Sequence, residues 1–343
     1  MKTMNQKLQI NNNNFASKNL KITLAIIAFA FFTISCSKND DPVPVAPPVV
    51  AEKTVNDITI TTQRVSTPIA PNLGYVNNIS NSWFQLVGND ILYSCGSGLG
   101  ASNPQFMLKY NLGTNTFNSA LPDSTVQFGG IVNSFVTDNT NLFYIANQAR
   151  KYNLVANTWN DINYPEAIRL NTREAGMSFA NGKIYACGRG SIETNAFKSY
   201  NITTNAWSNE NDYLEDITIP ELVTVQNKIY LLGGNAIRKN FSYFDITSNT
   251  WVAKTNLPFT MLSSYQSNIV AQAKNRYVFA FQTDKIYVYD IVKDQWKTEP
   301  ILVPVTGNTA LHLFGLNDTT LLITGVNINS RDFALYKLTL NLP

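Results

Sequence analysis

An aromatic pair seven positions apart returns five times along this chain. Tyr110 and Phe117 flank Asn-Leu-Gly-Thr-Asn-Thr. Tyr152 and Trp159 flank Asn-Leu-Val-Ala-Asn-Thr, and Tyr200 and Trp207 flank Asn-Ile-Thr-Thr-Asn-Ala. Phe244 and Trp251 flank Asp-Ile-Thr-Ser-Asn-Thr, and Tyr289 and Trp296 flank Asp-Ile-Val-Lys-Asp-Gln. The leading aromatics are spaced by 42, 48, 44 and 45 residues; a further 47 leads to Tyr336, seven residues before the last. Self-similarity at such a period marks a repeat architecture. The Asn or Asp after each leading aromatic starts a turn by bonding its own backbone. Asn115, Asn157, Asn205, Asn249 or Asp294 then closes it. The two aromatics meet across antiparallel strands, where such pairs bury large apolar area.

A second hairpin lies upstream of each pair. Met177 to Ala180, Asn181-Gly182, then Lys183 to Gly188 is one copy; Asn-Gly between alternating runs is a strong hairpin signal. Leu222 to Val225, Gln226-Asn227-Lys228, then Ile229 to Gly234 is another. Two hairpins in roughly 45 residues make a four-stranded unit with the length of a propeller blade. An open sandwich of similar strands is the alternative, but sandwiches rarely repeat so evenly. Six leading aromatics imply six blades. The sixth ends at Tyr336-Lys337-Leu338-Thr339-Leu340, with no seventh-position Trp and no room for an outer strand. An unpaired edge is a liability, so the β-prone run Val55 to Thr62 is expected to close the ring.

An apolar strand ending in Gly-Gly, followed by Tyr, six residues and Trp, resembles the Kelch repeat. Gly233-Gly234, Phe244 and Trp251 match best; Gly96 and Gly188 keep one glycine; Ala146-Asn147 and Ala280-Phe281 keep none. The resemblance covers about residues 75–343. The expected fold is all-β, a six-bladed Kelch-type β-propeller closed by an N-terminal strand over residues 55–343.

The segment before it reads as an address. Lys2, Lys7, Lys18 and Lys21 precede the apolar run Ile22 to Ile34. That run is shorter than the ~20 residues a bilayer core needs. A basic segment followed by a short apolar run is the pattern of a secretory signal, here residues 1–35. Thr33-Ile34-Ser35-Cys36 resembles a lipobox, the cleavage signal of bacterial lipoproteins, with Thr33 in place of the usual Leu. The resemblance implies that Cys36 becomes the first mature residue and is acylated on sulfur and amine. Ser37-Lys38-Asn39-Asp40-Asp41 resembles the export tag of Bacteroidetes surface lipoproteins. That implies the outer membrane, surface-exposed, with the periplasmic face as alternative. The proline-rich run Pro42 to Pro48 favours polyproline II, so residues 36–54 form a stiff tether.

Charge and composition narrow the function. Without the four leader Lys residues the net charge of +3 falls just below zero. A nucleic-acid binder carries a basic footprint, so nucleic acid is not expected as a partner. One His and three Cys in 343 residues leave little for a metal centre. No metal or cofactor is expected. Galactose oxidase-like relatives of the Kelch group hold copper with two His, so copper oxidase activity is not expected either. Cys95 and Cys187 sit at equivalent places two blades apart and read as small buried hydrophobes, not a disulfide. His312 falls on the inner strand of blade six, near the channel.

The first and third turns of each blade are short and share one face. Second turns and inter-blade links share the other and read as longer, so function is expected there. The link Asn163 to Glu174 carries Arg169, Arg173 and Glu174. Second turns add Arg150, Arg189, Arg238 and Arg331, with Lys239, Asp284, Lys285 and Asp332 beside them. Arg offers forked donors suited to carboxylates and sugar hydroxyls; any one of these residues also reads as solvated loop charge. Three functions compete. The favoured one is a binding module for glycans or proteins, tied to the membrane by its lipid alone. The second is an enzyme resembling bacterial sialic acid epimerases, for which no catalytic residue is assigned. The third is an accessory subunit of an outer-membrane uptake or adhesion complex.

Overall fold

The computed structural model describes residues 51–68, 82–95, 106–121, 135–145, 149–166, 170, 175–189, 195–217, 220–234, 239–261, 269–305, 308–327 and 333–343. Residues Glu52–Pro343 form a compact unit. Its strands make six antiparallel sheets arranged as a six-bladed propeller. Blade one is β2 (Ser82–Val87), β3 (Asp90–Cys95), β4 (Phe106–Asn111) and β5 (Thr116–Leu121). Blade two is β6 (Phe135–Thr137), β7 (Asn141–Ile145), β8 (Ala149–Asn153) and β9 (Thr158–Ile162). Blade three is β10 (Gly176–Ala180), β11 (Lys183–Gly188), β12 (Ala196–Asn201) and β13 (Ala206–Asn209). Blade four is β14 (Pro220–Val225), β15 (Lys228–Gly233), β16 (Phe241–Asp245) and β17 (Thr250–Ala253). Blade five is β18 (Val270–Ala273), β19 (Tyr277–Gln282), β20 (Lys285–Asp290) and the short β21 (Gln295–Trp296), and β22 (Ile301–Leu302) pairs with the far end of β20.

Blade six joins the two ends of the chain. It comprises β23 (Asn308–Asn317), β24 (Thr320–Asn327), β25 (Phe333–Asn341) and β1 (Thr59–Val65). β1 runs antiparallel to β25, from Thr59 opposite Asn341 to Val65 opposite Leu335. The expected closure is therefore present, with a shifted boundary: Val55–Asp57 is a 3-10 turn and pairing starts only at Thr59. The reason is local. Thr54 and Asp57 form a reciprocal capping box, which curls the chain before it can extend. This turn buries Val55 and Ile58 in the cluster between blades five and six. Asn56 accepts from the Thr298 amide at 2.9 Å and Lys293 pairs with Glu52 at 3.0 Å, seating the lead on blade five.

The turn chemistry explains why one motif recurs. Asn201 Oδ1 accepts from the Thr203 and Thr204 amides at 2.9 and 3.0 Å. Asn205 adopts φ 53°, and the Tyr200 hydroxyl donates to its side chain at 2.8 Å. Tyr110 with Asn115 (2.6 Å), Tyr152 with Asn157 (3.0 Å), and Tyr289 with Asp294 repeat this lock. Asn and Asp tolerate the left-handed conformation better than bulkier residues. The Tyr thus buries its ring while its hydroxyl pins the turn. The paired Trp reaches back to the preceding blade. Trp207 Nε1 donates to Asn163 O and Trp251 Nε1 to Asn211 O, both at 2.8 Å, and Trp296 Nε1 to Thr255 O at 3.3 Å.

Accordingly the apolar core lies between blades. One cluster joins Tyr185, Cys187 and Phe197 of blade three to Ile229, Leu231 and Phe244 of blade four. Another joins Leu232 and Phe241 of blade four to Val278 and Tyr289 of blade five. Gly233 and Gly234 hold φ of 74° and 95°. A Cβ on Gly234 would lie 2.3 Å from Ile217 Cγ1. The double glycine therefore serves both backbone conformation and close packing.

Candidate functional site

The innermost strands, β2, β6, β10, β14, β18 and β23, each pair on one side only. Their other edges surround a central channel. A cavity of about 550 Å³ occupies it, walled by residues of all six blades. The wall includes Gly88, Asn139 and Leu316, which places the mouth beside the short first turns. Ring closure is what brings these residues together. Gly315 shows how tightly: a Cβ there would fall 2.7 Å from Gln272 O of the neighbouring blade.

Among the described residues the wall is neutral. Its polar side chains are Gln85, Thr137, Asn139, Ser178, Thr224 and Gln272; the rest are apolar or glycine, among them Phe135, Met177 and Phe314. Several are held in place. Ser178 and Thr224 share a hydrogen bond of 2.7 Å between blades three and four. Thr137 donates to Asn141 O at 2.8 Å, and Gln272 Oε1 accepts from the Asn275 amide at 3.2 Å. Three ion pairs stand away from the wall residues. Lys109 lies 3.7 Å from Asp90, Arg276 2.6 Å from Asp290, and Lys254 3.0 Å from Asp294. Burial would raise the Asp290 carboxyl, but the Arg276 guanidinium and the amides of Val292 and Lys293 outweigh it and hold it below its ordinary value. The Tyr289 hydroxyl, opposed by burial and helped by Lys254, holds Asp294 low as well.

The sequence-selected residues are not among the described wall residues. Arg169, Arg173, Glu174, Arg238 and Arg331 lie outside the described residues, as does Cys36. Arg150 is on β8, not in a loop. Its Nε donates to Asp161 Oδ1 at 2.7 Å on the outermost strand, and its guanidinium carbon stands 5.7 Å from the Trp159 ring centre. Arg189 follows β11 and is exposed. Neither Arg150 nor Arg189 lines the channel cavity. The second turns are also shorter than expected in two blades, with only residues 146–148 in blade two and 283–284 in blade five. His312 is on the inner strand of blade six but is fully buried, its ring 5.0 Å from Phe84 of blade one, and it is not part of the channel wall. Cys187 is a free, buried thiol, and burial pushes it well above its ordinary value. The channel residues escaped sequence reasoning because no local motif marks them.

No family model matches this chain, and no curated protein matches it. Among solved structures, one titled "Structure of YjhT" is similar. It has a TM-score of 0.55 at 13% identity and covers 80% of this chain and 99% of that one. The likeness shows the propeller fold.

Proposed function

We propose that this chain is an envelope-anchored binding module, a Kelch-type propeller on a lipid tether, whose ligands are glycans or proteins. The observation that carries this reading is the channel cavity, built by all six blades and lined, among the described residues, by no titratable side chain. General acid–base chemistry needs a positioned proton carrier, and this wall offers none. A rigid concave wall with a few fixed polar groups is what small-ligand sites usually present. By their sequence positions, Arg169, Arg173, Arg189, Arg238 and Arg331 belong to the second turns and inter-blade links, and this reading gives them a second binding surface. Their forked donors suit an anionic or hydroxylated partner.

A thermal-shift screen of residues 51–343 tests this, with neutral sugars, sugar acids and divalent metals as the panel. A ligand at 100 times its dissociation constant adds ~2.7 kcal/mol. A shift without turnover of the ligand supports the module. Turnover of a sugar acid, such as anomer exchange, replaces it with the epimerase-like reading. The anchor is tested by Cys36→Ser, expected to move the protein from the membrane fraction to the soluble one; unchanged membrane retention refutes the lipid.

A further inference from the structure

We propose that the central channel, entered from the short-turn face, binds an uncharged oligosaccharide and discriminates against sugar acids. This deepens the binding-module reading and rests on it, but it names another face and a narrower ligand than the arginine-bearing loops suggest.

The wall chemistry carries the choice. Gln85, Thr137, Ser178, Thr224 and Gln272 come from five different blades. Carboxamides and hydroxyls both donate and accept hydrogen bonds, as sugar hydroxyls do. Backbone amides and carbonyls on the unpaired edges of the six inner strands add donors and acceptors of the same kind. Between them stand apolar surfaces such as Phe135 and Phe314, which suit the C–H faces of pyranose rings. Among the described residues, no cation lines the cavity. A carboxylate moved into it would lose water and gain no counter-charge, an unfavourable exchange. A neutral polyol loses less and recovers it through paired hydrogen bonds. The volume of about 550 Å³ falls within the usual range for small-ligand sites, roughly 300–1,000 Å³.

Position is also fixed in advance. The Ser178–Thr224 bond ties blades three and four at the wall. Around the mouth, Asn181 donates to Asn227, Gln226 to Asn275 O, and the Lys274 amide to Asp318, at 3.1, 3.0 and 2.9 Å. These links lace blades three to six turn by turn. A preorganised wall lowers the ordering cost of binding.

The test is calorimetric titration of the full-length protein with maltotriose, cellotriose, lactose and diacetylchitobiose, against N-acetylneuraminic and galacturonic acids. At least one neutral sugar should bind ten-fold or more tighter than either acid. Thr224→Trp, which fills the channel, should weaken that sugar at least ten-fold while the protein keeps its β circular-dichroism spectrum, with melting lowered by loss of the Ser178 hydrogen bond. Gln272→Leu, a smaller change that keeps the fold should the Trp variant fail, should weaken it about five-fold. Preference for an acid, no binding of any neutral sugar, or full affinity in both variants overturns the inference. An acid that binds, or an envelope protein captured by the intact chain, would leave the broader module reading standing. Failure of every sugar and every protein partner would remove both.

Discussion

Blades three and six bury their edges by opposite means. In blade three the strands that pair and the turn that joins them come from one stretch of chain. Tyr200 faces Trp207 with ring centres 5.0 Å apart, and its hydroxyl locks the turn between them. In blade six the residue opposite Tyr336 is Arg64, delivered by the other end of the chain. The extra bond from Thr67 to Phe333 O spans 266 positions. The first kind of closure can form as soon as a hairpin forms. The second must wait until the ring is nearly complete, because closing so long a loop carries an entropy cost before any contact offsets it. A propeller with five blades that each pair their strands within one stretch of chain thus depends on one long-range seam.

Removing the seam should have the largest effect. Deleting Glu52–Val65 exposes the β25 edge and removes Val55 and Ile58 from the core. Those two side chains alone contribute roughly 3–6 kcal/mol. Loss of a single cooperative melt is expected by circular dichroism; an unchanged melting temperature would refute the seam. Trp207→Ala should cost less, about 3 kcal/mol, because its ring is only half-buried and five other blades remain intact. Denaturant melts of both variants measure the contrast directly.

A third variant probes the platform on which the N-terminal lead sits. Arg276→Ala leaves the fully buried Asp290 without its ion pair. The full penalty for such a loss is about 3–5 kcal/mol, and partial exposure of Arg276 reduces it to about 2 kcal/mol. The pH dependence has a definite sign. Asp290 titrates below its ordinary 3.8, so its contribution is present above about that value and lost as pH falls through the lower, folded one. Asp290→Asn should flatten the acid limb of the stability curve and leave its neutral-to-alkaline part unchanged in shape. Tyr200→Phe should be the mildest, about 1 kcal/mol for one hydrogen bond, visible as a small drop in denaturant midpoint. An effect as large as that of the seam deletion would mean that blade three is not closed locally.

Much of this was readable in advance for one physical reason. The aromatic pair, the turn-starting Asn or Asp and the left-handed residue all act within eight positions, so spacing alone exposes them. The exact start of β1 was not foreseen, although Thr54-Val55-Asn56-Asp57 has the spacing of a capping box. Arg150 looked like a loop cation because it follows a turn closely. Register decides otherwise, since it stands directly opposite Asp161 across β8 and β9. His312 was placed on the correct strand, but the facing blade, with Phe84, determined its surroundings.

By itself, then, the amino-acid order determined the repeat unit, the six blades and the need for a strand from the other end, because each is written in local turn and pairing chemistry. The channel belongs to the tertiary structure alone. Its wall takes three or four residues from each blade, the groups tens of positions apart and unremarkable in their own neighbourhoods. Only the closed ring sets them side by side and gives the cavity its size and neutrality.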